Sequence, residues 1–147
     1  AGLGRAELTL PSGVKVIAYV AVNAIGDVWD KGEIIAGAQT SAGQFADCTK
    51  TLLSGAAEAF LFERGHTTLA AVFTNAIFSK AELKRIAKMG IAGMARSISP
   101  VFSCYDGDIL FAISVGQLQA SVLTVGTMAA EAVRLAILDA VKDSTAI

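Results

Sequence analysis

The chain has 147 residues, a length that suits one domain, or a piece of a larger one, with enough chain to bury a real core. Apolar types make up 54% of it and charged types 17%, which excludes a disordered chain. Twelve Lys and Arg against thirteen Asp and Glu give a net charge of −1, so there is no basic excess to neutralise phosphates and nucleic-acid binding is excluded.

Arg5 to Leu10 alternates Ala6, Leu8 and Leu10 with Glu7 and Thr9, the period of a half-buried strand. Pro11-Ser12-Gly13 is a turn signal. Val14 to Val22 is almost continuously apolar and β-branched, which predicts a central strand covered on both faces and ending at Asn23. Gly26-Asp27 and Asp30-Lys31-Gly32 mark turns, and Glu33 to Ala38 suits a short strand. An irregular apolar pattern from Phe45 to Phe62 predicts a helix that Gly65-His66 breaks. Thr67 to Thr74 is a second β-prone run.

Ser79-Lys80-Ala81-Glu82 is a capping box. Leu83, Ile86, Ala87, Gly90, Met94 and Ile98 share one face of the helix it opens, with Lys80, Lys84, Arg85 and Lys88 on the solvated side. Ser99-Pro100 closes that helix. Val101 to Gly107 reads as a loop and Asp108 to Val115 as a strand. Ala120 to Val141 reads as a long helix, so apolar that most of its surface needs covering, and the last five residues fray. Strands and helices mix without regular βαβ alternation, which points to layered sheets flanked by helices within one domain, residues 1–147.

No stretch approaches the roughly 18 uncharged apolar residues of a membrane-spanning helix, so a soluble chain is expected. The start, Ala1-Gly2-Leu3-Gly4-Arg5, has no basic segment followed by an apolar one and no Met. It reads as no signal peptide and as a chain processed or trimmed upstream. Cys48 and Cys104 form no CxxC unit, and two buried reduced thiols in a cytoplasmic protein are expected.

The usual nucleotide, α/β-hydrolase and zincin motifs are absent, and a lone histidine, His66, cannot build a metal site. No metal and no organic cofactor is expected. Two features carry chemistry, each with a plainer alternative. Asp106-Gly107-Asp108 is either a turn entering a strand or a pair of carboxylates on one face, sharing a proton. Gly65-His66-Thr67-Thr68 is either a strand start or the junction of an N-terminal nucleophile. Cleavage before Thr67 would put a hydroxyl and its own α-amine on one residue.

Four segments decide between these readings: VKVIAYVAVNAIGDV (14–28), HTTLAAVFTNA (66–76), SKAELKRIAKMGIAGMARSISPV (79–101) and YDGDILFAISVG (105–116). In this order they resemble the DmpA-like family of self-processing aminopeptidases and amidases, which includes β-peptidyl aminopeptidases and nylon-oligomer hydrolases. The resemblance implies an α/β fold, a four-layer αββα sandwich. It implies autocleavage between His66 and Thr67 into an upstream part, 1–66, and a downstream part, 67–147, with Thr67 as nucleophile. It further implies Asp106 and Asp108 beside the nucleophile and Asn23 as the oxyanion-hole amide.

The expected substrates are 6-aminohexanoate oligomers or other short peptide-like or ω-amino amides. The chain departs from the family in carrying His66 where Asn is usual. Family precursors are also about twice as long, so a missing N-terminal segment of the same precursor and further copies in a homo-oligomer are the expected partners. The sequence leaves two other functions open: an unprocessed inactive member with a structural role, and an acyltransferase of the ornithine acetyltransferase type.

Overall fold

The computed structural model describes residues 2–55 and 66–143. A four-stranded sheet runs in the order β1 (Gly2–Thr9), β2 (Lys15–Val22), β5 (Leu69–Ala76), β7 (Ile109–Leu118). The β1–β2 and β2–β5 pairs are antiparallel and β5–β7 is parallel. A three-stranded sheet places β3 (Asp27–Asp30) between β4 (Glu33–Ala36) and β6 (Ile98–Ser99). The helices are α1 (Cys48–Leu53), α2 (Lys80–Ala95) and α3 (Val122–Val141). The fold is therefore mixed α/β, with a helical layer on a sheet.

Burial explains the layering. Val16, Ala18, Val20 and Val22 of β2 and Ala70, Val72 and Ala76 of β5 point inward, where they meet Val125, Ala129, Ala132, Val133, Ala136 and Ile137 of α3. Small and β-branched residues on both sides let helix and sheet approach closely. Ser79 caps α2 reciprocally with Glu82, as its sequence predicts. The apolar face of α2 buries Ile86, Gly90, Gly93 and Met94 and leaves its lysines exposed.

Several expectations need correction. β2 is central, but it is covered on one face only among the described residues. Its alternate positions Lys15, Ile17 and Ala21 are half-buried and Tyr19 is 41% exposed. The lysine and tyrosine, which need water or a partner, were the mark of an alternating strand. Residues 27–30 are a strand between the two turn signals, because Val28 is wholly buried and pairs with both Ala36 and Ile98. The helix expected to run to Ser99 stops at Ala95, and Ile98–Ser99 becomes β6, pairing with β3.

Of the helix expected over 45–62, only Cys48–Leu53 is helical among the described residues: Asp47 caps its start and a turn at Ser54–Gly55 ends it, while residues 56–65 lie outside the described residues, as do 144–147 at the end expected to fray. Cys48 is buried as expected, but Cys104 is exposed on the 101–107 loop; both thiols are free. No helix among the described residues is long and apolar enough to cross a membrane.

Candidate functional site

Topology brings the predicted residues to one end of the larger sheet. Antiparallel β2 ends where β5 begins, and parallel β7 begins at the same end. Asn23 follows β2, His66 and Thr67 precede β5, and Asp106 and Asp108 precede β7. The three segments are tied by main-chain bonds rather than by strand pairing alone. The Thr67 N–H donates to the Asn23 carbonyl at 2.8 Å, Gly107 N–H to the His66 carbonyl at 3.1 Å, and Ile109 N–H to the Thr68 carbonyl at 3.1 Å.

Thr67 is half-buried, and its hydroxyl donates to the His66 carbonyl oxygen at 2.5 Å. The attacking oxygen of the expected cleavage thus lies beside the carbonyl it would attack. His66 itself is half-buried, and its Nδ1 has no hydrogen-bond partner. The Asn23 side chain is exposed at the same end; it is the main-chain oxygen of Asn23 that touches Thr67.

The two aspartates have separate donor sets. Asp106 accepts from the Ser103 hydroxyl at 2.5 Å and the Ser103 N–H at 3.2 Å on Oδ2, and from the Ile25 N–H at 3.4 Å on Oδ1. Asp108 accepts from Thr68 N–H at 2.6 Å on Oδ1 and from Phe102 N–H at 2.8 Å on Oδ2. Asp108 therefore fixes the backbone one residue after Thr67, and Asp106 fixes the turn two residues after Asn23. Ser103 and Ile25 are part of this arrangement although nothing singles them out in the sequence. A serine three residues before an aspartate is an ordinary turn signal, and Ile25 contributes only its backbone.

Beside this cluster an open cleft of about 440 Å³ is lined by Gly2, Leu3, Ala21, Val22 and Leu69, with Asn23 and Thr67 also on its wall. No charged side chain among the described residues lines it. Among the described residues no group of three or more His, Cys, Asp and Glu side chains could hold a metal ion.

A third carboxylate, Asp27, opens β3. Asp27 is fully buried and accepts from Cys48 N–H at 2.6 Å on Oδ2; the Cys48 thiol lies 3.4 Å from both Asp27 Oδ1 and the Ile25 carbonyl. Burial holds the Asp27 carboxyl above the ordinary carboxylate range, against the lowering effect of the Cys48 backbone bond. Burial first, and then the Asp27 charge, push the Cys48 thiol up to about 12. A Cβ on Gly37 would sit 2.0 Å from Asp27 Oδ1, so the loop after β4 closes on this carboxylate only as glycine.

Comparison with known proteins adds to this geometry. The model of a family described as peptidase family S58 matches residues 1–147. An uncharacterised aminopeptidase of Mycobacterium leprae (strain TN) is 33% identical over 123 residues, covering 82% of this chain and 34% of its own length. A 6-aminohexanoate-oligomer endohydrolase of Kocuria sp. (strain KY2) is 30% identical over 152 aligned positions, covering 88% of this chain and 41% of its own. The chain thus spans between about a third and about a half of the length of the curated relatives it matches. Among solved structures, the L-aminopeptidase D-Ala-esterase/amidase from Ochrobactrum anthropi, described as a variant of the Ntn-hydrolase fold, superposes with a TM-score of 0.56 at 17% identity. That superposition covers 97% of this chain and 40% of the other, and at such identity it speaks for the fold.

Proposed function

The chain belongs to peptidase family S58, and from that premise we propose that it is part of an N-terminal-nucleophile amide hydrolase activated by cleavage between His66 and Thr67. The observation that carries this reading is the Thr67 hydroxyl, 2.5 Å from the carbonyl oxygen of the bond to be cut. Cleavage separates 1–66 from 67–147 and leaves Thr67 with a free α-amine. That amine takes the hydroxyl proton as Oγ1 attacks the substrate carbonyl. Asp106 and Asp108 orient the new terminus, Asp108 through the Thr68 N–H that it already holds. The Asn23 side-chain NH₂ donates to the developing oxyanion. The acyl-threonine ester is then opened by water.

The apolar residues described on the cleft wall support a linear aliphatic acyl chain, as in 6-aminohexanoate oligomers, since an ammonium close to the scissile carbonyl would lose part of its hydration against Leu3, Ala21 and Leu69. The outer face of the sheet exposes Leu3, Leu69, Phe111 and Val115. That supports the remainder of the precursor and further copies as partners. Two free thiols support a cytoplasmic setting.

The test is intact mass and N-terminal sequencing of every polypeptide in the purified protein, beside hydrolysis of 6-aminohexanoate oligomers. Wild type is expected to yield a fragment beginning at Thr67 and to release product. Thr67→Ala is expected to remain whole and to release none, while Thr68→Ala keeps much of both activities. A chain that stays whole overturns the reading in favour of a structural role, and hydrolysis that survives Thr67→Ala overturns Thr67 as the nucleophile.

A further inference from the structure

We infer that the backbone N–H of Gly107 is the oxyanion donor for cleavage of the His66–Thr67 bond. The inference rests on the self-cleavage reading above and assigns a catalytic group to it.

Two donors converge on one carbonyl oxygen, that of His66. One is the Thr67 hydroxyl at 2.5 Å; the other is the Gly107 N–H at 3.1 Å. The first becomes the nucleophile. The second is not consumed, and it points at the oxygen on which negative charge appears when Oγ1 bonds to the carbonyl carbon. A donor counts for most when it is fixed before the charge develops. Gly107 is fixed on both sides. Asp106 is held by Ser103 and Ile25, Asp108 by Thr68 and Phe102. The ladder that includes Gly107 N–H to His66 continues with Ile109 N–H to Thr68.

The other half of the scissile unit is held too, since the Thr67 N–H, the leaving nitrogen, donates to the Asn23 carbonyl. Glycine is suited to the position: a Cβ at residue 107 would lie 3.0 Å from Thr67 Oγ1, crowding the attacking oxygen.

Oγ1 bonds to the His66 carbonyl carbon, and the π electrons move to the oxygen that Gly107 N–H holds. Their return breaks the carbon–nitrogen bond, the hydroxyl proton ends on the Thr67 nitrogen, and an ester remains. Water opens that ester to the His66 carboxylate and the Thr67 hydroxyl.

The chain has a single histidine, so [1-¹³C]histidine labels one carbonyl, the one in question. Glycolate installed at position 107 replaces the N–H by oxygen without changing its shape. In the uncut Thr67→Ala background, loss of the donor is expected to move the labelled carbonyl stretch to higher frequency. With Thr67 present, cleavage followed by mass is expected to slow about 100-fold or more. Gly107→Ala keeps the N–H and should leave the stretch in place. An unmoved stretch, or a glycolate variant that cuts at the wild-type rate while wild type is cut, overturns the role of Gly107 and leaves the hydrolase reading standing. If wild type is never cut although the stretch responds, the hydrogen bond stands and both the hydrolase reading and the cleavage role fail.

Discussion

Asp27 and Asp108 each bring a carboxylate to main-chain N–H groups from distant segments, yet their surroundings differ. Asp27 ties Cys48 to the start of β3 and has no exposed surface. Asp108 ties Thr68 to Phe102 at the open end of the sheet and is only half-buried. A carboxylate sealed away without a cation pays for its desolvation and can act only through the backbone it holds. One that keeps contact with solvent beside a hydroxyl is available to a reaction. The same bond pattern therefore builds a clamp in one place and a candidate catalytic position in the other.

The widest separation between the two regions should appear in thiol reactivity. Cys104 is exposed two residues before Asp106, whereas Cys48 is sealed under Asp27 with its thiol pushed up to about 12. At pH 8 the thiolate fraction of Cys48 is on the order of 10⁻⁴, and burial restricts access further. A disulfide reagent should label Cys104 promptly and Cys48 over 1,000-fold more slowly, on the order set by thiolate fraction. Comparable rates would mean that the Asp27 clamp opens readily in the native state.

Removing each carboxylate sharpens the comparison. Asp27→Ala leaves the Cys48 N–H without its acceptor in a dry site, at a cost of about 3 kcal/mol in unfolding free energy read from urea melts. The specific activity of the folded fraction should change little. Asp108→Asn keeps one acceptor oxygen for the two N–H groups, so stability should fall by about 1 kcal/mol or less. Hydrolysis should nevertheless drop tenfold or more, about 1.4 kcal/mol of barrier. Loss of stability at Asp108 with undiminished specific activity would make it another structural clamp.

Legibility in the sequence follows the same division. α2 was readable because burial on one face imposes its period, and β2, β5 and α3 were readable as long apolar runs, although the one-sided burial of β2, marked by Lys15 and Tyr19, was missed. β3 was not: Asp27-Val28-Trp29-Asp30 is short, has charged ends, and is a strand only because Ala36 and Ile98 supply partners from elsewhere. Asn23, His66, Thr67, Asp106 and Asp108 stood out through resemblance, and their meeting at one sheet end follows from strand order. The atoms that join them are largely main-chain N–H and carbonyl groups, which every residue carries and no side-chain pattern reveals. Gly107 and Asp27 therefore read as parts of ordinary turn signals, Asp106-Gly107 and Gly26-Asp27.

The smallest expected effect is the pH dependence that Asp27 gives to stability. Burial raises its native carboxyl above its ordinary value of 3.8, while in the unfolded chain it titrates near that value. Between the two, the native state holds a proton that the unfolded state has released. The unfolding free energy then falls as pH rises, by at most about 1.4 kcal/mol per pH unit. The stabilisation is fully present below the ordinary value and is lost as pH climbs through the native one. Glu131 works in the opposite sense, because hydrogen bonding to Arg134 lowers its carboxyl, so its contribution is present at higher pH and lost on acidification. Asp27→Asn cannot ionise and leaves Glu131 untouched, so the difference between wild type and this variant isolates Asp27. Urea melts from pH 4 upward should show wild type losing ground to Asp27→Asn with rising pH and then running parallel to it. A flat difference would mean that the Cys48 N–H offsets burial at Asp27, and one that grows in favour of wild type as pH rises would mean that it outweighs burial.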